Sequence, residues 1–444
     1  MNGNPTDNRD SSTTLRRAFR NFGKLLRGRG VAAVLELLTV ALLARELSPT
    51  PFGKIVLIQT YVLAIRGLFN FKTYEVLVRF GVPLLEGEKE HSFRRLLRIT
   101  MLIDILSSVA VTVIAIAIAH AVGIILKWDS DIAPLAMIYS IALLSYGFGT
   151  AKGVLRIYDR FDILGVQIMI GPVLRLIAVL IVMLISPTLL MFVVALTLTT
   201  AIGNLYLIVM GWNELRRQLG VVELRSPSLV GWREEFKGLL KFVGIVYWQG
   251  NIDMLPRHIT TLLAGTFLGP AGAGLLRLAR ETTKVLSKPG ALLRQVLFPD
   301  MVRLWVRRSP EFRFILTRSL LIAMFVGLVF TTASLFGGAW LLTLVLGADY
   351  AEAAPLLSLL LLATTLELMA TVLRSAGYAM GHAGAILKLH LFSSAIYLAS
   401  FIVLTPYVGL IGPGYAACIA ATLPLLGSGL IILRDLQRQN IPTA

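Results

Sequence analysis

The sequence predicts an all-α polytopic membrane protein, with about 12 transmembrane helices in two pseudo-symmetric six-helix lobes around a central cavity. Three observations carry this expectation. Of the 444 residues, 56 % are hydrophobic and only 15 % charged, with a mean hydropathy of +0.77, whereas soluble domains are about 25 % charged. Roughly twelve apolar segments follow one another with no soluble domain between them. Two short turn sequences recur in the second half of the chain.

Residues 1–29 are polar and basic, and LRRAFRNFGKLLRGRG can form an amphipathic helix against a membrane face. A cleavable signal fits less well, because Glu36 interrupts the apolar run and no A-x-A site follows. The apolar segments fall near 30–47, 52–71, 99–126, 132–152, 163–185, 188–211, 242–268, 272–298, 318–346, 353–375, 384–405 and 409–433. About 20 apolar residues cross a bilayer as a helix, so the third, eighth and ninth are longer than needed. The connections 72–98 and 212–241 read as short helices and loops. The expected organisation is a basic tail (1–29), an N-terminal lobe (30–211), a linker (212–241), a C-terminal lobe (242–433) and a second tail (434–444).

Charge sets the orientation. With the N-terminus inside, the inner loops and tails hold 31 of the 42 Lys and Arg, the outer loops 3, and the segments themselves 8. That bias predicts cytoplasmic N- and C-termini. It also accounts for most of the net charge of +17 without a nucleic-acid partner. The single cysteine, Cys418, excludes an intrachain disulfide and a cysteine metal site.

The turn Leu47-Ser48-Pro49-Thr50-Pro51-Phe52-Gly53 is echoed by Leu268-Gly269-Pro270-Ala271-Gly272-Ala273-Gly274, at an offset of 221. Val154-Leu155-Arg156 is echoed by Val372-Leu373-Arg374, at 218. Six crossings return a chain to its starting side, so the two halves read as parallel repeats, a design that holds its cargo between the halves.

The stretch from Pro270 to Pro299 is long enough to cross a bilayer yet carries Arg277, Arg280, Glu281, Lys284, Lys288 and Arg294. Positions 277, 281, 284 and 288 share one helix face, with Arg280 at its edge. Charges inside a membrane cost several kcal/mol each, so this stripe is expected to line a polar cavity and attract an anionic cargo. The rival is a surface helix with its Lys and Arg among headgroups. Arg66, Arg175 and Arg257 complete the candidate binding set: Arg66, Arg175, Arg257, Arg277, Arg280, Lys284 and Lys288. Arg suits phosphate, because its planar fork meets two oxygens at once. Three carboxylates, Asp104, Asp253 and Glu281, are candidates for ion coupling. Asp253 and Arg257 are spaced to pair along one face. Gly171-Pro172, Pro289-Gly290 and Gly412-Pro413-Gly414 are candidate breaks. No G-x-x-x-x-G-K-[ST] loop, H-E-x-x-H or Cys-His cluster occurs, although Lys72-Thr73 carries the end of a phosphate loop without its second Gly. Neither a cofactor nor a metal is expected.

Ala44-Arg45-Glu46-Leu47-Ser48-Pro49-Thr50-Pro51-Phe52-Gly53 resembles the A-R-x-L-G-P-x-x-F-G turn of bacterial polysaccharide flippases, within the multidrug/oligosaccharidyl-lipid/polysaccharide exporter superfamily. Gly153 to Gly165, with Arg160-Phe161-Asp162, is similar to that family's fourth-to-fifth connection. Leu346-Gly347-Ala348-Asp349-Tyr350 with Ala354-Pro355-Leu356-Leu357 is similar to its ninth-to-tenth, and Phe298-Pro299 to the end of its eighth helix. Ser48 stands where the family usually has Gly, and Asp253 and Arg257-His258 stand in a segment expected to be more apolar.

The resemblance implies a flippase of the bacterial inner membrane. It would move a polyprenyl-pyrophosphate-linked oligosaccharide by alternating access, beside a polysaccharide polymerase and other assembly proteins. Two other readings stand beside it. One is a cation-coupled small-molecule exporter of the same fold. The other is a membrane polymerase or glycosyltransferase, which the short outer loops disfavour.

Overall fold

The computed structural model describes residues 30–220, 231–251 and 255–438, and their side chains except those at 249–251, 255, 285, 287–300 and 438. Among the described residues 90 % are helical. Helix α1 covers 30–46. It is followed by α2 (Pro49–Leu68), α3 (Thr73–Glu86), α4 (Glu90–Ile125), α5 (Ile132–Ser140), α6 (Gly149–Ile157), α7 (Phe161–Ile185) and α8 (Leu189–Leu219). Next come α9 (Trp232–Glu235), α10 (Leu239–Asn251), α11 (Leu255–Val306), α12 (Glu311–Leu346), α13 (Ala354–Ala379), α14 (Ala383–Val408) and α15 (Gly412–Arg438). In a bilayer no water can satisfy free N–H and C=O groups, so uncharged apolar runs must close their hydrogen bonds within helices.

Nine stretches among the described residues are long and apolar enough to cross a membrane. The last of them, Ala383–Gln437, contains both α14 and α15. The 52-residue α11 turns at Gly269, whose φ of 72° is open to glycine at little cost. With α1, the expected count of about twelve follows. Of the candidate breaks, Gly412 stands at one, since α14 ends at Val408 and α15 opens at Gly412, whereas Pro172 lies within α7 and Pro289-Gly290 continues α11 as helix.

The chain forms two compact units, Met1–Glu46 with Ile58–His258, and Leu47–Leu57 with Ile259–Ala444. In the first unit, amphipathic α3 packs with the starts of α4 and α10, the end of α8, and α9. Val76, Leu77, Phe93, Leu96, Leu97, Val154, Leu215, Phe236 and Leu239 form one buried cluster there. These residues belong to the polar connections, where water is the alternative environment. Each large side chain fully buried there contributes about 1.5–3 kcal/mol. By contrast α7 faces outward along most of its length, with Leu184 87 % and Ile185 77 % exposed, as suits a lipid-facing helix.

Glu235 of α9 ties this cluster to α4 through Arg95, at 2.6 Å. Burial pushes its carboxyl up, but hydrogen bonds from Ser92 and Arg95 outweigh that and hold it below the usual carboxylate value. A depressed carboxylate adds stability above its unfolded value, about 4.3. That stability is lost as pH falls through the lower folded value. The side chain is 26 % exposed, which limits the gain to below about 1 kcal/mol. The melting temperature should therefore fall less between pH 6 and pH 3 in Glu235→Gln than in the parent protein; equal falls would remove the role given to this pair.

In the second unit the membrane helices pack through small residues. The buried face of α12 reads Ser319, Ala323, Gly327, Thr331, Ser334 and Gly338. Lipid is as apolar as leucine, so close backbone approach and hydrogen bonds hold such helices together. A Cβ at Gly327 would overlap the Thr365 side chain of α13, and the Ser334 and Ser358 hydroxyls meet at 2.9 Å. The turn before α2 is fixed by the Tyr350 hydroxyl, which donates to the Leu47 carbonyl at 2.7 Å, while Phe52 meets the same ring edge-on.

The repeat read from the sequence reappears as paired geometry. Helices α4 and α12 each have 36 residues and begin at Glu90 and Glu311, 221 positions apart. Left-handed residues recur in step: Glu88 with Arg308, Lys127 with Gly347, and Asp159 with Gly381. The helix-ending bonds match as well. Lys89 N donates to Leu84 O and Ser309 N to Leu304 O; Arg160 N donates to Leu155 O and His382 N to Gly377 O. Each is the six-residue closure of a left-handed C-terminal cap. An ion pair is also repeated, Arg160 with Glu214 and His382 with Asp435.

Candidate functional site

Two groups of charged side chains lie within the helical units, one in each. The first surrounds a cavity of about 160 Å³ in the first unit. Arg66 enters it from the last turn of α2, Lys72 from the α2–α3 turn, Asp104 from α4 and Lys152 from α6. Three cations and one carboxylate thus share this space. Asp104 is fully engaged. Its Oδ1 accepts from the Thr73 hydroxyl at 2.5 Å, and its Oδ2 accepts from the Thr150 N–H and hydroxyl at 2.6 and 2.7 Å. Gly149 makes room for this arrangement, since a Cβ there would sit 2.8 Å from Asp104 Oδ1.

Aromatic rings hold the cations. The Arg66 guanidinium lies 3.8 Å from the centre of the Tyr146 ring, and Lys152 Nζ lies 4.5 Å from that of Tyr74. Arg66 forms no ion pair with any described carboxylate. Lys72 lies 3.9 Å from Glu75, which stands just outside the lining.

The second group is in α11. Arg277 pairs with Glu281 at 2.9 Å and Lys284 pairs with the same carboxylate at 2.5 Å. The expected face of 277, 281 and 284 is thus a connected ladder with one negative charge for two positive ones. Arg280 points elsewhere. It donates to Thr261 at 2.8 Å, Thr260 at 3.0 Å and the Tyr397 hydroxyl at 2.6 Å, which bridges the two arms of α11 and α14. Arg175 is half-buried in α7, its Nε enclosed without a hydrogen-bond partner. Arg257 is exposed in the first turn of α11. Asp253 and the side chain of Lys288 lie outside the described residues.

The structure thus brings Arg66 together with Asp104, and Arg277 with Glu281 and Lys284. It adds Lys72, Thr73, Tyr146, Thr150 and Lys152, which the sequence reading did not single out as site residues. A signal was present in the aromatic residues around these cations, Phe69, Phe71, Tyr74, Tyr146 and Phe148, and in the Lys72-Thr73 pair.

The fold is that of MOP-superfamily transporters. The chain matches an inward-facing multidrug resistance MATE family transporter of that superfamily with a TM-score of 0.71 at 15 % identity, covering 92 % of this chain and 96 % of the other. It matches the lipid II flippase MurJ in an inward closed conformation with a TM-score of 0.68 at 12 % identity, covering 93 % and 89 %. Residues 18–305 match the family described as "Polysaccharide biosynthesis protein", and the chain belongs to that family. A relative, "Inner membrane protein YghQ" of Escherichia coli (strain K12), is 28 % identical over 342 residues, which is 77 % of this chain and 96 % of the relative. The chain is thus a member of the polysaccharide biosynthesis family, with nine stretches among the described residues long and apolar enough to cross a membrane, and with the fold of solved transporters.

Proposed function

We propose that the protein carries a polyprenyl-pyrophosphate-linked oligosaccharide from the inner to the outer leaflet of the bacterial inner membrane, for surface polysaccharide assembly. The observation that carries this reading is the cavity lined by Arg66, Lys72 and Lys152 in a chain of the polysaccharide biosynthesis family. A pyrophosphate needs basic donors sheltered from water, where charge-assisted bonds are strongest. The sugars need a wet path, and the prenyl tail can stay in lipid. The MurJ likeness supports the class, since that neighbour is a lipid II flippase, and the YghQ relative supports the inner membrane. The loop charge bias supports cytoplasmic termini.

In this reading Arg66 meets the pyrophosphate, and Arg175, Arg257, Arg277, Arg280, Lys284 and Lys288 are the other candidate cargo contacts. Cargo must bind the inward and outward states differently for the cycle to turn. Asp104, Asp253 and Glu281 are the coupling candidates. An ion at Asp104 competes with Thr73 and Thr150, and one at Glu281 with Arg277 and Lys284. A polymerase and other assembly proteins are the expected neighbours.

Arg66→Ala and the Arg277→Ala/Lys284→Ala pair, each at matched membrane levels in a strain lacking the native copy, should cut surface polysaccharide about tenfold or more. Undiminished export in both would overturn the reading.

A further inference from the structure

In a membrane interior, an arginine is ordinarily fixed by a carboxylate, which consumes its charge as it positions it. The cavity of the first unit solves the problem otherwise. Asp104 stands in the same cavity as Arg66, yet its two oxygens are taken by three donors from Thr73 and Thr150. What the guanidinium does contact is the ring of Tyr146, at 3.8 Å. The ring face carries negative potential and attracts the cation. It cannot neutralise the cation, and it accepts no proton from it.

We infer that Tyr146 is a positioning residue: its ring holds Arg66 at the cavity wall with the guanidinium charge and N–H donors unspent, ready for the phosphate oxygens of a prenyl pyrophosphate. This rests on the flippase reading and adds to it the way the headgroup site keeps its charge while staying ordered. The same arrangement explains why the Asp104 carboxylate is clamped by hydroxyls. A free carboxylate in this space would swing to Arg66 and close the site against an anion. The Thr73 and Thr150 hydrogen bonds hold it back, and Gly149 gives them room. Lys152 Nζ and the Arg156 guanidinium both lie over the Tyr74 ring, at 4.5 and 4.4 Å.

The test uses the purified full-length chain and farnesyl pyrophosphate as the probe, with farnesol as the uncharged control, and reads binding by calorimetry. The parent protein should bind farnesyl pyrophosphate well above farnesol. Arg66→Ala and Tyr146→Leu should each weaken it about tenfold, within the range of a desolvated ring–cation contact. Tyr146→Phe should bind as the parent does. The double variant Arg66→Ala/Tyr146→Leu should be no weaker than Arg66→Ala alone, because the ring acts only through the arginine. Should Tyr146→Leu fail to fold, phenylalanines carrying one, two and three ring fluorines at position 146 keep the shape while draining the ring face. Affinity should then fall stepwise with fluorination.

A flat fluorine series, additive losses in the double variant, or farnesyl pyrophosphate binding no better than farnesol would each overturn the inference. So would unchanged binding in Arg66→Ala. Surface polysaccharide export by the same variants separates the two ideas: export lost with binding intact removes this role for Tyr146 and leaves the flippase reading standing. Binding lost with export intact removes the Arg66–Tyr146 cavity from the transport path and so overturns the inference, while the flippase reading then stands or falls with the Arg277→Ala/Lys284→Ala pair.

Discussion

Gly53→Leu should leave little folded protein, and even Gly53→Ala should lower stability by about 3 kcal/mol. A Cβ at position 53 would overlap the carbonyl of Pro270, which is backbone and cannot swing aside. The approach is close from the other side as well. A Cβ at Gly274 would lie 3.1 Å from the Gly53 Cα and 3.0 Å from the Phe52 ring. These are the glycines of the two echoed turns, and they meet where the start of α2 crosses the second arm of α11. Thermal melting of purified protein checks the effect, with Gly244→Ala as a control, since nothing lies within 4 Å of a Cβ there. The control should be neutral or slightly stabilising, because alanine favours helix over glycine by up to about 1 kcal/mol. A Gly53→Ala protein that melts with the parent would show that the crossing adjusts freely.

Asp104→Ala should cost about 3–5 kcal/mol, the range for removing one partner from a buried charged network. It leaves the Thr73 hydroxyl and both Thr150 donors facing a cavity with no acceptor. Asp104→Asn should cost less. Its carbonyl oxygen can keep the Thr150 N–H, and a hydroxyl can turn to accept from its NH2 group. The comparison also separates two roles. With a purely structural Asp104, loss of transport tracks loss of stability across Ala, Asn and Glu. With a coupling role, Asp104→Asn stays folded but loses any dependence of transport on a cation gradient. Melting curves and vesicle transport of the three variants decide between these outcomes; an alanine variant as stable as the parent would contradict the clamp itself.

The helical architecture was legible because its cause is local. A bilayer forces apolar runs into helices, and the runs at 163–185 and 318–346 could be placed within a few residues of α7 and of all but the first two turns of α12. The repeat was legible at two turns only, since the cap geometry at Glu88 and Arg308, or at Asp159 and Gly381, lies in backbone angles that different residues adopt. The stripe of 277, 281 and 284 followed from helical spacing, and its two ion pairs bear that spacing out. Where Arg280 points did not follow, because it depends on Thr260, Thr261 and Tyr397, up to 117 positions away in the chain. The Arg66 cavity was half visible. The arginine stood out as a charge in an apolar run, but its ring partner is contributed by a distant turn, and lone tyrosines carry no spacing signal.

The repeated ion pairs differ in one atom group, and the difference divides the molecule. Arg160 grips Glu214 with a guanidinium that stays charged at any physiological pH. Its counterpart His382 meets Asp435 at 2.5 Å with a ring that is cationic only when protonated. The same clasp is thus a guanidinium on a carboxylate in one half and an imidazole on a carboxylate in the other.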